Sequence, residues 1–92
     1  MTLTLSARAE RDLAEQIEWL AKRSPQAALK ATARILHVFD LLEENPLIGA
    51  VTERGWLEKA VKFGRDGYVI CYVARSRDVF VVRFRHSRQD RG

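Results

Sequence analysis

Polar and apolar residues alternate from Thr2 to Leu5, with Leu3 and Leu5 on one side, as in a short edge strand. Ser6 then stands where a capping hydroxyl starts a helix, and behind it Ala9, Leu13, Ile17 and Leu20 recur at helical spacing. Glu10, Glu15, Glu18 and Lys22 occupy the other faces, so this first helix is expected to end near Arg23. Ser24-Pro25 is a second start signal, a capping side chain followed by a residue whose missing N–H is harmless in the first turn. From it Ala28, Ala31, Ile35, Val38, Phe39 and Leu42 trace a broad apolar stripe that Asn45-Pro46 halts. The two helices are expected to form a hairpin with almost no loop.

After Pro46-Leu47-Ile48-Gly49 the period changes from helical to alternating. Leu57, Val61 and Phe63 alternate with Glu58 and Lys62 before a turn at Gly64-Arg65-Asp66-Gly67. Tyr68 to Val73 is apolar on both faces, as a central strand is, and Ser76-Arg77-Asp78 offers a second tight turn. Val79 to His86 is the last strand; its even positions Phe80, Val82 and Phe84 are expected to face the core, while the odd positions run from Val79 and Val81 to Arg83 and Arg85. The fold class is therefore α+β: a short N-terminal strand, a helical hairpin, then a three-stranded antiparallel meander with the helices packed on one sheet face, all within a single domain over residues 1–92.

Composition narrows the setting. At 47% hydrophobic and 30% charged residues the chain is ordinary for a folded protein. One cysteine, Cys71, excludes an internal disulfide and fits a reducing compartment, and neither a signal peptide nor a membrane-spanning run is evident, so the expected location is cytoplasmic. Charge is divided unevenly: residues 1–55 carry a balance of −1 and residues 56–92 one of +5. Four arginines and a histidine crowd Arg83 to Arg91, opposed there by Asp90 alone. Such a field favours an acidic partner, nucleic acid or protein.

Candidates for chemistry are few. His37 lies mid-helix beside Leu36 and Val38 and reads as structural, and His86 ends a strand among arginines with no orienting neighbour visible in sequence. Cys71 reads as a small core residue, and no glycine-rich phosphate loop, metal-ligand spacing or cofactor motif is present. Glu43-Glu44 reads as a solvated helix end. Trp19 and Trp56 each fit either the margin of the core or an exposed anchor, and Tyr68 and Tyr72 share a strand face as packing residues do. Arg88 and Arg91 fit a solvated end as well as a binding surface, whereas Arg83 and Arg85, fixed on a strand with apolar neighbours, look like a recognition surface.

In order and spacing, the whole chain resembles the ParE branch of the RelE/ParE toxin superfamily, the toxic halves of bacterial type II toxin-antitoxin pairs. The resemblance rests on Ala9-x-x-Asp12-Leu13, Ser24-Pro25-x-x-Ala28, Asn45-Pro46-Leu47-Ile48-Gly49, Phe63 to Ile70 with Tyr72, and Val82-x-Phe84 through Gln89. RelE-type members resemble one another as ribosome-dependent mRNA endonucleases, with strand lysines, an arginine after the strand tyrosine, another after the last strand, and a late tyrosine. Here Val69 follows Tyr68, Ser87 follows His86, no tyrosine follows Tyr72, and only Lys62 and Lys59 remain of that basic set. The resemblance thus implies a ParE-like toxin with no catalytic residues, metal or cofactor, which inhibits DNA gyrase by binding.

It also implies a cognate antitoxin, acidic and folding on binding, in a toxin-antitoxin hetero-oligomer that meets DNA only through the antitoxin or gyrase and has no membrane role. The residues expected to carry target or antitoxin binding are Arg83, Arg85, His86, Arg88, Lys59, Lys62 and Trp56. Two alternatives stay open, a RelE-like ribosome-dependent mRNA endonuclease and a non-toxic antitoxin-binding relative.

Overall fold

The computed structural model describes residues 2–88. Gln89, Asp90 and Arg91 of the basic tail lie outside the described residues. Strand β1 (Leu3–Leu5) leads into α1 (Ala7–Arg23) and α2 (Pro25–Glu44), followed by β2 (Ala50–Val51), β3 (Leu57–Phe63), β4 (Asp66–Arg75) and β5 (Asp78–His86). The sheet order is β1-β5-β4-β3-β2: β1 runs parallel to β5 and the other neighbours are antiparallel. Both helices lie on one face.

Local chemistry sets the helix ends where the sequence places them. The Ser6 hydroxyl accepts from Ala9 N–H at 3.0 Å and the Ser24 hydroxyl from Ala27 N–H at 3.1 Å, while Ser24 N–H itself donates to Leu20 O at 2.8 Å. Ser24 therefore closes one helix and opens the next, and Pro25 occupies the first turn. Between helices and sheet the core gathers Ala9, Ile35, Leu42, Val61, Ile70, Tyr72, Val81 and Phe84, with Leu13, Ile17 and Leu20 packed along its border.

Two features differ from the sequence expectation. A two-residue strand, β2, pairs Ala50 with Glu58 and Val51 with Leu57; with no alternation to read, its pairing partner alone makes it a strand. The second difference is in β5, where Cys71 pairs with Arg83 but Tyr72 pairs with Val81, so Val82 is an extra residue. This bulge inverts the alternation. Val79 and Val81 are fully buried and Phe84 nearly so, whereas Phe80, expected in the core, is 40% exposed and Val82 only half-buried.

Tyr72 ties the connection after α2 to the sheet. Its hydroxyl donates to Pro46 O at 2.7 Å and accepts from Gly49 N–H at 2.9 Å. Gly49 permits this approach, because a Cβ there would lie 2.6 Å from the phenolic oxygen. Burial pushes the Tyr72 phenol above its ordinary pKa, with the Gly49 N–H offsetting part of that.

Candidate functional site

The last strand positions most of the residues that the sequence singles out, and it does so through carboxylates from other elements. β1 stops at Leu5, so beyond Val81 the outer edge of β5 has no strand beside it. Asp12 of α1 fills that place. Its Oδ2 accepts Phe84 N–H at 3.0 Å and Arg83 Nε at 2.8 Å, and its Oδ1 faces Arg8 Nε at 3.4 Å. A carboxylate only 8% exposed needs such partners. Burial alone would raise its pKa; the Phe84 N–H, Arg83 and Arg8 together hold it below the ordinary carboxylate value. Sequence reading noted Asp12 only within a motif, and the signal that marks it is a lone acid on the helix face that carries Ala9 and Leu13.

Arg85 is held on the face of the sheet away from the helices. Its guanidinium reaches across β4 to Glu58 Oε1 at 3.5 Å, while the other oxygen of Glu58 accepts from Cys71 Sγ at 3.7 Å. Burial and then the Glu58 charge push the Cys71 thiol up, against a smaller opposing effect of Arg85. The cysteine is 2% exposed, covered beside Glu58 and Arg85 and outside the cluster between helices and sheet, and is a poor nucleophile.

At the end of β5, His86 packs edge-on against the Tyr68 ring at 5.6 Å, and its Nδ1 accepts from Arg88 N–H at 3.1 Å. The orienting neighbours that the sequence left open are thus an aromatic face and the chain's own turn. Tyr68 stacks on Phe84 at 5.1 Å and Phe63 at 6.4 Å, and both Tyr68 and Tyr72 are buried, so neither presents a face for base stacking. Arg88 is exposed and lies 3.8 Å from Asp66. Between α1 and this end of β5 opens a cavity of about 470 Å³ lined by Glu15, Gln16, Trp19, His86 and Arg88. Trp19 is 57% exposed there, with the Arg23 guanidinium 4.2 Å from its ring, which places it outside the core.

The remaining candidates lie across the sheet. Lys62 is exposed and Lys59 half-buried on β3, at the opposite edge from Arg83 and His86. Trp56 precedes β3, half-buried, with Arg54 at 5.8 Å from its ring and its indole N–H without a partner among the described residues. The expected binding residues therefore fall into two groups, one around the end of β5 and one along β3, rather than one cluster. His37, expected as structural, is exposed on α2. No group of three metal-ligating side chains comes together among the described residues, and no described helix is long and apolar enough to cross a membrane.

Comparison with known proteins agrees with this geometry. The family model for the ParE toxin of type II toxin-antitoxin system, parDE, matches residues 3–91. The chain is 34% identical over 90 residues to Toxin RelE3 of Caulobacter vibrioides, covering 98% of both chains. The fold superposes on a chain of the chromosomal ParDE TA system from P. aeruginosa with a TM-score of 0.74 at 20% identity, covering 94% of this chain and 95% of the other. The sequence motifs, the helical hairpin on its mixed five-stranded sheet and these matches place the chain in the ParE/RelE superfamily, as a toxin of a type II toxin-antitoxin system.

Proposed function

We propose that this toxin acts in the ParE manner, by binding DNA gyrase in the cytoplasm rather than by cutting RNA, and that an acidic antitoxin neutralises it. The observation that carries this reading is that the positions after Tyr68 and His86 hold Val69 and Ser87 and that no tyrosine follows Tyr72. Cleavage of mRNA through its 2′-hydroxyl builds charge on a phosphate, which fixed and available cations must stabilise. Here the positions after Tyr68 and His86 hold uncharged Val69 and Ser87, and the strand arginines Arg83 and Arg85 each have a carboxylate partner, Asp12 and Glu58.

Binding needs only surface. Around the end of β5 that surface combines His86, Arg88, the exposed Trp19 and the cavity between them. Along β3 it offers Lys59, Lys62 and Trp56, and the +5 balance of residues 56–92 suits an acidic antitoxin. Arg83 and Arg85 then contribute by fixing the strand as much as by contact.

Purified protein should block gyrase supercoiling and leave translated mRNA whole. Unchanged supercoiling at saturating protein defeats the proposal. The name of the Caulobacter relative favours a second reading, a RelE-like mRNA endonuclease using Lys59 and Lys62. Primer extension on translated transcripts tests it, because that activity leaves cuts at codon positions.

A further inference from the structure

The two helices order their charges in opposite ways. α1 has Glu10 in its first turn and Lys22 and Arg23 in its last, the arrangement that a helix dipole favours. α2 has no acid in its first turn and no base in its last. Its cations, Lys30 and Arg34, stand in the N-terminal half four residues apart, and the exposed acids Asp40 and Glu44 stand toward the C-terminus at the same spacing. Each pair sets like charges on neighbouring turns, which disfavours the helix that carries them. Glu43 accepts the Leu3 N–H, but none of Lys30, Arg34, Asp40 and Glu44 has an ion-pair partner among the described residues.

Through these charges runs an apolar seam. Leu29, Ala33 and Leu36 recur at steps of four and three and so share one face of α2. The core takes Ala31, Ile35, Val38 and Leu42 from the other face, leaving Leu29 72% and Leu36 54% exposed. Small Ala33 between the two leucines leaves a hollow that a leucine of a second helix can enter.

The pattern is complementary to itself reversed. A second α2 laid antiparallel, with a two-fold axis midway between Ala33 and Leu36, sets Ala33 of each copy against Leu36 of the other. The same register brings Lys30 within one residue's rise of Asp40 of the other copy, and Glu44 beside the first turn of the other α2, where that helix lacks an acid. An acidic helix on this face would be repelled by Asp40 and Glu44, and a basic one by Lys30 and Arg34. A partner with this charge order reversed fits, and an antiparallel copy has it by symmetry.

We propose that the outward face of α2 is a self-association surface, on which two copies of this chain pair antiparallel through Leu29, Ala33 and Leu36, with reciprocal Lys30–Asp40 ion pairs. Pairing through the helices leaves both sheet edges open, so the contact does not depend on which target the toxin binds.

Sedimentation equilibrium of the purified full-length toxin tests this. One helix face lies below about 1,200 Å² of interface, so half-pairing is expected at on the order of 10–100 μM. Leu36→Glu, at a position exposed in the single copy, should weaken pairing about tenfold or more with Tm unchanged. Lys30→Glu and Asp40→Lys should each weaken it several-fold, and the double variant should return to within about threefold of wild type. Lys30 and Asp40 lie about 15 Å apart along their own helix, so that rescue arises between copies. A toxin that stays monomeric up to about 500 μM overturns the proposal, as does pairing that Leu36→Glu leaves unchanged or a double variant that adds the two losses. A monomeric toxin whose Leu36→Glu variant no longer binds the product of the neighbouring antitoxin gene assigns the face to the antitoxin and overturns the second copy.

Discussion

Replacement of Asp12 should destabilise the protein far more than its place on a surface helix suggests. In Asp12→Ala the Phe84 N–H loses its acceptor in a buried setting, a cost of about 1–3 kcal/mol. The Arg83 side chain is 39% exposed and returns largely to water, and Arg8 is 58% exposed, so these two ion pairs add no more than about 1 kcal/mol together. The total is roughly 1–4 kcal/mol, which lowers Tm by roughly 4–30 °C in a domain of this size. Asp12→Asn retains an oxygen for Phe84 N–H and loses the charge, so about half that cost is expected.

The pH dependence of this effect has a definite sign. The folded-state pKa of Asp12 lies below the ordinary value of 3.8, so the unfolded chain binds the proton more readily. The stability contributed by the charge is therefore fully present above that ordinary value and is lost as pH falls through the lower folded pKa. Urea denaturation of wild type, Asp12→Asn and Asp12→Ala at pH 7 and pH 3 measures it. The gap between wild type and Asp12→Asn should hold at neutral pH and shrink below about pH 4. An Asp12→Ala protein within about 0.5 kcal/mol of wild type at pH 7 would refute the role of Asp12 as the acceptor that finishes the β5 edge.

Two further outcomes follow from single residues. Gly67 has φ of 134° and its Cβ would run into the Val61 carbonyl, so Gly67→Ala should cost roughly 3 kcal/mol or more; a urea midpoint equal to wild type would contradict this. Cys71, buried and with its thiol pushed up, should resist alkylation at pH 8 in the native protein and react readily in urea, and equal rates in the two states would count against its burial beside Glu58.

How much of this was legible in the sequence depends on the range over which each signal acts. Ser6, Ser24 and Asn45-Pro46 fix the helix limits through contacts within four residues, and the structure reproduces them. The two-residue turns after Phe63 and Arg75 are equally local. The inner face of β5 was not legible, because a bulge at Val82 is a property of the pairing between β4 and β5, and strict alternation read from Val79 onward puts Phe80 inside. The fate of the arginines was hidden for the same reason. Asp12 lies 71 residues from Arg83 and Glu58 lies 27 from Arg85, distances over which composition says only that the end of the chain is basic.

Those long-range pairs change what the charge distribution means. Of the basic residues at the end of the chain, Arg83 and Arg85 each pair with a carboxylate, so part of their charge is offset within the fold. Further positive charge is carried by the exposed Arg88 beside the cavity, 3.8 Å from Asp66, and by Lys59 and Lys62 on β3. The end of β5 presents a mixed surface of Trp19, His86 and Arg88, whereas β3 presents the two lysines. The proposed reading, with the β3 lysines meeting the antitoxin and the end of β5 meeting the target, predicts that substitutions along β3 act first on neutralisation and substitutions around His86 first on toxicity. Toxicity and rescue assays on Lys62→Glu and Arg88→Glu separate the two, and a variant of either kind that loses both functions while retaining its fold would show that the surfaces are one.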